Sequence, residues 1–145
     1  MHVTGRQRGS VLMLMPAAVL VFIVLGAIAV DFSVVFLGER EVANAAASAA
    51  NDAAAQAVDR EGLYATADLR LDGPVAARVA ARSVDAAGLD DHLDRIVTTT
   101  AVATGAPVVT VNVRAHVRYL FASAIPGGPE GADVEATAVA SARRQ

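Results

Sequence analysis

The feature that most constrains this chain is a run of twenty residues, Val11 to Val30, without a charged side chain: VLMLMPAAVLVFIVLGAIAV. A helix rises about 1.5 Å per residue, so a helix of this length covers about 30 Å, the thickness of the hydrocarbon core of a bilayer. Pro16 and Gly26 lie within the run, and both residue types are tolerated inside membrane helices. The run therefore predicts a single membrane-spanning helix.

The charges on either side of this run predict its orientation. Two basic residues precede it, Arg6 and Arg8, and the acidic residues begin after it, with Asp31. Because basic residues accumulate on the cytoplasmic side of membrane proteins, we expect a single-pass protein of the cytoplasmic membrane with its N-terminus inside and its remaining mass outside. Asp31 is expected to mark the boundary where the helix meets water, in preference to a functional carboxylate within the membrane.

A cleaved secretory signal is the alternative interpretation of the same segment. It would have a basic start, and Ala27-Ile28-Ala29 resembles a cleavage site. The apolar run is longer than the 7–15 residues usual for a signal core. Apolar sequence also resumes after the candidate cut, between Phe32 and Leu37. These two observations favour a retained span.

An alanine-rich stretch, Glu39 to Asp59, follows the span and is typical of a helix because alanine is the strongest helix former. Polar residues recur at spacings of three and four, and small apolar residues do the same, so each set lies on one of two opposite faces of the helix. The apolar face consists mostly of methyl groups and predicts close packing against another helix or a sheet, through Ala45, Ala49 and Ala53. No strong helix breaker other than Gly38 lies between Asp31 and Asp59. The span and this stretch are therefore predicted to form one continuous helix.

The remainder predicts a second, shorter helix followed by strands. Asp72-Gly73-Pro74 is a helix-start signal and Gly88 a natural stop. Alternation of apolar and polar residues then predicts three antiparallel strands, at Ile96–Ala103, Val108–Tyr119 and Asp133–Arg143. The predicted fold is therefore α+β. It comprises a tail (1–9), a transmembrane helix (10–37), an Ala-rich helix continuing outward (38–60) and an extracytoplasmic α+β domain (61–145).

Composition argues against several classes of function. The chain has no cysteine, which excludes disulfides, thiolate metal sites and cysteine nucleophiles. Residues 31–145 carry 10 arginines against 15 acidic residues, whereas a nucleic-acid-binding domain usually carries a basic excess. We find no combination of nucleophile, tuned acid or base and orienting group, so the sequence predicts no enzyme, no cofactor and no small-molecule substrate.

Three polar or aromatic clusters are candidate sites. Asp90, Asp91, His92 and Asp94 could offer ligands to a divalent cation, but they lack the spacing of a calcium loop and are better explained as a solvated turn, so no metal is predicted. The alternating Arg114, His116 and Arg118 could bind an anion, although a solvated sheet face is the simpler account. Tyr119-Leu120-Phe121 could be a sticky surface, but core residues are the favoured interpretation.

The N-terminal half, RQRGSVLMLMPAAVLVFIVLGAIAVDFSVVFLGEREVANAAASAA, resembles the TadE/TadG-like proteins of bacterial tight-adherence (Flp) pilus assembly. Arg8-Gly9, Asp31 and Ala43-Asn44-Ala45-Ala46 match the family pattern, and the closing VEATAVASAR is also similar to such proteins. The resemblance implies a pilin-like or pseudopilin-like envelope protein. Such a protein would assist pilus assembly, or a related secretion apparatus, by packing its N-terminal helix against those of other subunits.

The same resemblance raises the question of processing. A prepilin-type cut after Gly9 would leave Ser10 as the first residue and would place Leu14 at the fifth mature position, where prepilins usually carry Glu. A retained anchor that assists assembly fits this departure as well as a filament subunit does. The alternative function is a small membrane-anchored or secreted binding module that uses the basic sheet face.

Overall fold

A computed structural model describes residues 8–60, 64, 69–89 and 92–142, and for residues 8–13 it describes the backbone alone. Helix α1 runs without interruption from Arg8 to Gln56, a length of 49 residues. At about 1.5 Å per residue it is about 70 Å long, more than twice the thickness of a bilayer's hydrocarbon core. The prediction of one continuous helix through Gly38 is confirmed, although the helix ends slightly before Asp59.

The two halves of α1 have different surroundings. From Leu14 to Val30 every side chain is exposed except that of Ala27, which is half-buried. From Asp31 onward one side of the helix is buried against the rest of the protein, and the burial continues to the end of the helix. The described part of the chain therefore contains one helix that is long and apolar enough to cross a membrane, with its apolar half bare.

Helix α2 runs from Gly73 to Ala86, close to the predicted bounds. The carboxylate of Asp72 caps its first turn by accepting a hydrogen bond of 2.9 Å from the backbone N–H of Val75, and Pro74 occupies the first turn, where its missing N–H costs nothing. The chain leaves the helix through Gly88, whose φ of +59° suits glycine.

The three strands are β1 (Leu93–Val102), β2 (Val108–Arg118) and β3 (Gly131–Ser141), with a short 3-10 helix, Ala122–Ala124, between the last two. They form one antiparallel sheet in the order β1-β2-β3. The α+β prediction is confirmed. Strand β1 starts three residues earlier than predicted, with Leu93 and Asp94 paired to β2 beyond an irregularity in register between Asp94 and Val97, where Arg95 adopts a φ of +50°. Such an irregularity interrupts the alternation on which the prediction of the strand start depended.

Both helices lie on one face of the sheet, with α1 over β2 and β3 and α2 over β1. The residues of β2 alternate as predicted, and those that face the helices are buried: Val109, Val111, Val113, Ala115 and Val117. The residues of β2 on the opposite face, from Thr110 to Arg118, are polar. The core consists mainly of valines from the sheet and alanines from the helices, together with Val42 of α1, Val84 of α2 and Ala115 of β2, and Leu93 is its one larger member among the described buried residues.

The helix approaches the sheet closely at Gly38. A Cβ atom at this position would lie 2.7 Å from Cγ2 of Val117, a separation that real Cβ atoms do not reach. The absence of a side chain at Gly38 therefore leaves room for Val117 to pack against the helix backbone. The helix continues through Gly38 as predicted, and its packing against Val117 offsets the low helix propensity of glycine.

Candidate functional site: the junction between the apolar helix and the sheet

A carboxylate joins the apolar helix to the sheet at Asp31. Its Oδ1 accepts hydrogen bonds from the backbone N–H groups of Leu120 (2.8 Å) and Phe121 (3.0 Å), and its Oδ2 accepts one from Ala122 (2.8 Å). The side chain is buried, with 7% of its surface exposed. Three converging N–H donors offset the cost of removing this carboxylate from water.

The donors come together because the chain turns sharply after β2. The strand ends at Arg118, and the 3-10 helix begins at Ala122. The first N–H groups of a helical turn lack partners within that turn, so they require an external acceptor. Asp31 supplies it from a helix that is distant in the sequence. The predicted membrane boundary at Asp31 remains a prediction, but its side chain contacts protein backbone instead of water.

The aromatic segment after β2 does not belong to the core. Leu120 and Phe121 are about half exposed, and Ile125 is 63% exposed, whereas Tyr119 is half-buried. The core interpretation of Tyr119-Leu120-Phe121 was therefore wrong for two of its three residues. The reason is that this segment meets α1 through its backbone N–H groups, which leaves the side chains outside the contact.

The predicted helix-packing face is buried within the protein's own fold. Ala45, Ala49 and Ala53 have 3% or less of their surface exposed, and Ala49 and Ala53 belong to the core that α1 forms with α2 and the sheet. Beside them Ser83 of α2 donates a hydrogen bond of 2.6 Å to Asp52 of α1, which fixes the two helices relative to each other. The methyl face is therefore occupied, and contacts with other subunits would have to use other parts of α1.

The polar face of the sheet carries paired charges. Arg114 lies 3.1 Å from Glu135, Nδ1 of His116 lies 2.6 Å from Asp133, and Arg118 lies 3.9 Å from Asp94. The favoured interpretation of this face was a solvated sheet surface, and the basic side chains that could alternatively bind an anion are paired with carboxylates on the neighbouring strands. This pairing removes the physical basis for the anion-binding patch. The sequence of β2 alone does not show the pairing, because the carboxylates lie on the adjacent strands.

These pairs lower the pKa values of two of the carboxylates on the polar face. The hydrogen bond with His116 is the main reason why the pKa of Asp133 lies below its ordinary value of 3.8. A hydrogen bond from Arg114, supported by one from Asn112, lowers the pKa of Glu135 from its ordinary value of 4.5. The imidazole of His116 is largely buried, and among the described residues its Nε2 has no hydrogen-bond partner.

Several predicted site residues lie at the edges of what the structure describes. Arg8, Gly9 and Ser10 form the first turn of α1, while Arg6 lies outside the described residues. Of the polar cluster, Asp90 and Asp91 also lie outside them. Asp94 pairs with Arg95 at 3.3 Å, and across the described ranges no group of three or more metal-binding side chains occurs.

Sequence reasoning overlooked the contact between Asp31 and residues 120–122, and the local signal for it was weak. Asp31 is followed by more apolar residues, including Phe32 and Phe36. A carboxylate placed between two apolar segments is costly unless it is paired, which was the one hint of a partner.

Comparison of the chain with protein-family models, with curated proteins and with solved structures finds no match in any of the three.

Proposed function

We propose that this chain is a non-enzymatic, single-pass protein of the cytoplasmic membrane, with its N-terminus in the cytoplasm and its α+β domain outside. We further propose that it acts as a pilin-like or pseudopilin-like component that assists assembly of a Flp/Tad-type pilus or a related secretion apparatus. The observation that carries the proposal is the division of α1 into a bare apolar half, Leu14–Val30, and a half buried in the folded domain.

The division matters because it separates two tasks within one rigid element. Exposed Leu, Val, Phe and Ile side chains along about 25 Å of helix are costly in water but stable in hydrocarbon or against like helices. The buried half holds the domain, since Ala45, Ala49 and Ala53 are buried and this part of α1 packs against α2 and the sheet. Assembly contacts are therefore proposed for the apolar half, and the methyl face of the outer half has an internal role.

The resemblance to TadE/TadG-like proteins gives the proposal its specific content. It rests on Arg8-Gly9, Asp31 and Ala43-Asn44-Ala45-Ala46 together with the position of the apolar run. The orientation rests on Arg6 and Arg8 before the run and the acidic residues after it.

Protease protection tests the topology. Protease added to intact spheroplasts is expected to remove an epitope at the C-terminus while sparing one at the N-terminus. A protected C-terminal epitope would overturn the proposed orientation. The N-terminal residue of the purified protein separates the modes of maturation: Met1 indicates an uncut anchor, Ser10 prepilin-type processing and Val30 ordinary secretion.

In-membrane crosslinking tests the assembly role. A photoreactive residue at Phe22, which is 76% exposed in the apolar half, is expected to capture neighbouring helices in cells. The same reagent at Ala47, exposed on the outer half, provides the matched control. Crosslinks to lipid alone from Phe22 would support an anchor but contradict assembly through this helix.

A further inference from the structure

We propose that the segment between β2 and β3 is a second membrane contact, which inserts the side chains of Leu120, Phe121 and Ile125 into the headgroup region of the outer leaflet. This inference rests on the proposed function, because it requires that the apolar half of α1 spans a bilayer. The partner is a lipid surface, and the contact would fix the position of the folded domain relative to the membrane.

The first argument is the level at which the segment is held. If the hydrocarbon core ends near Val30, where the uncharged run ends, the headgroup region occupies about the next 5–8 Å, or four to five helical residues. Asp31 lies at the start of this zone. Because its carboxylate binds the backbone of residues 120–122 directly, that segment is held at the same level.

The second argument is exposure. Leu120, Phe121 and Ile125 are all large apolar residues that are about half or more exposed, and they lie together in the segment between β2 and β3. Other exposed apolar side chains of the described domain include those of Val97 and Val139, which lie on the strands. On α1, Phe32 is 70% exposed in the same zone, and Phe36, one turn further along the helix, is 66% exposed. Exposed apolar side chains therefore occur both on the helix just beyond the span and on the segment that Asp31 holds at this level, which favours the medium that surrounds the span as their partner.

The third argument is the mode of attachment. Asp31 binds the backbone N–H groups of residues 120–122, so the side chains of this segment remain free to contact lipid. A buried carboxylate with three N–H partners is a rigid connection, and it ties the exposed residues to the helix that would determine insertion depth.

Nitroxide labelling in vesicles tests the proposal with the full-length protein. The chain contains no cysteine, so each introduced cysteine gives a single labelled site. The sites are Phe121→Cys for the proposed contact, Phe22→Cys for the span and Val139→Cys for the control. Val139 is 65% exposed and pairs with Thr110, towards the opposite end of the sheet from the pair formed by Gly131 and Arg118.

The protein is reconstituted into vesicles of equal parts phosphatidylethanolamine and phosphatidylglycerol, and collisions with oxygen and with a water-soluble nickel complex are measured. We expect the label at Phe121 to gain oxygen accessibility and lose nickel accessibility relative to Val139, with Phe22 deeper than both. Adding Asp31→Asn is expected to reduce the depth at Phe121 without changing that at Phe22.

Each other outcome contradicts a defined statement. If Phe22 is deep and Phe121 is as accessible to nickel as Val139, the second contact is wrong and the anchor stands. If Phe22 is also accessible to nickel, the span itself is wrong. If neither reagent reaches Phe121, and its spectrum broadens as the protein density in the vesicles is raised, a second copy covers the segment and the lipid contact is overturned.

Discussion

Asp31 and Phe121 lie 90 positions apart in the sequence, yet Oδ1 of Asp31 accepts a hydrogen bond of 3.0 Å from the backbone N–H of Phe121. The flanking N–H groups of Leu120 and Ala122 bind the same carboxylate. The contact joins the first residue after the apolar half of α1 to the turn after the central strand. It therefore links the apolar helix directly to the sheet.

Asp31→Asn is expected to loosen this contact. The amide group that replaces Oδ2 cannot accept the hydrogen bond from Ala122, and an unsatisfied buried N–H costs about 1–3 kcal/mol. Amide hydrogen exchange at residues 120–122 should accelerate by about tenfold to a hundredfold. Glu39→Gln, which alters an exposed carboxylate on the same helix, is the control and should leave exchange unchanged. Equal protection in both variants would show that the carboxylate does not hold the turn.

Gly38→Ala is expected to destabilise the domain despite the higher helix propensity of alanine. Alanine gains about 1 kcal/mol in a helix, but the new Cβ would collide with the fully buried Val117, and overpacking costs about 1–3 kcal/mol. Chemical denaturation of the full protein in detergent measures the difference. Gly26→Ala is the matched control because nothing lies within 4 Å of its Cβ position.

A double-mutant cycle makes this test specific. Val117→Ala removes the colliding atom, so Gly38→Ala should cost less in that background than in the original protein. Additive effects of the two substitutions would indicate that Gly38 matters for some reason other than its contact with Val117.

The sequence was sufficient for the elements whose signals are local. Asp72-Gly73-Pro74 located the start of α2 because capping and proline placement depend on adjacent residues. The alternation in β2 identified its buried face because side chains of a strand point to opposite sides with a period of two.

The sequence was insufficient where distant residues meet. The pairing of Arg114 with Glu135 depends on the register between β2 and β3, which neither strand specifies alone. The exposure of the Phe121 side chain depends on where the chain turns after Arg118 and on the carboxylate of Asp31, which accepts a hydrogen bond from the Phe121 backbone. The continuous helix through Gly38 was predicted, but the role of the glycine was not, because propensity scales contain no term for the valine packed against it.

Ala49→Leu tests whether the methyl face has an internal role. Ala49 is fully buried, so three additional carbon atoms would overpack the contact with α2 and the sheet at a cost of about 1–3 kcal/mol. The thermal midpoint of the domain should fall, whereas Ala47→Leu on the exposed side should leave it nearly unchanged. A normal midpoint for Ala49→Leu, combined with lost crosslinking between subunits, would instead indicate an intermolecular contact.

Val113→Asp tests the register of β2. Val113 is fully buried, and a carboxylate there would have no partner, so we expect a loss of about 3 kcal/mol or more and failure of the domain to fold. Arg114→Ala removes an exposed ion pair with Glu135, which is worth at most about 1 kcal/mol. Circular dichroism and denaturation compare the two variants, and similar stabilities would reject the assigned faces.

The carboxylates on the polar face predict a specific response to acid. The pKa values of Asp133 and Glu135 are lowered in the folded protein by hydrogen bonds from His116 and Arg114. A group with a lowered folded pKa stabilises the fold above its ordinary pKa, here 3.8 and 4.5, and this contribution is lost as the pH falls through the folded value. The double variant Asp133→Asn, Glu135→Gln should therefore be less stable than the original protein near pH 7, but its stability should fall less steeply below about pH 4.5. Denaturation midpoints measured from pH 7 to pH 2.5 check this, with Glu39→Gln as the control. Parallel curves for the double variant and the original protein would show that these two pairs contribute nothing to acid sensitivity.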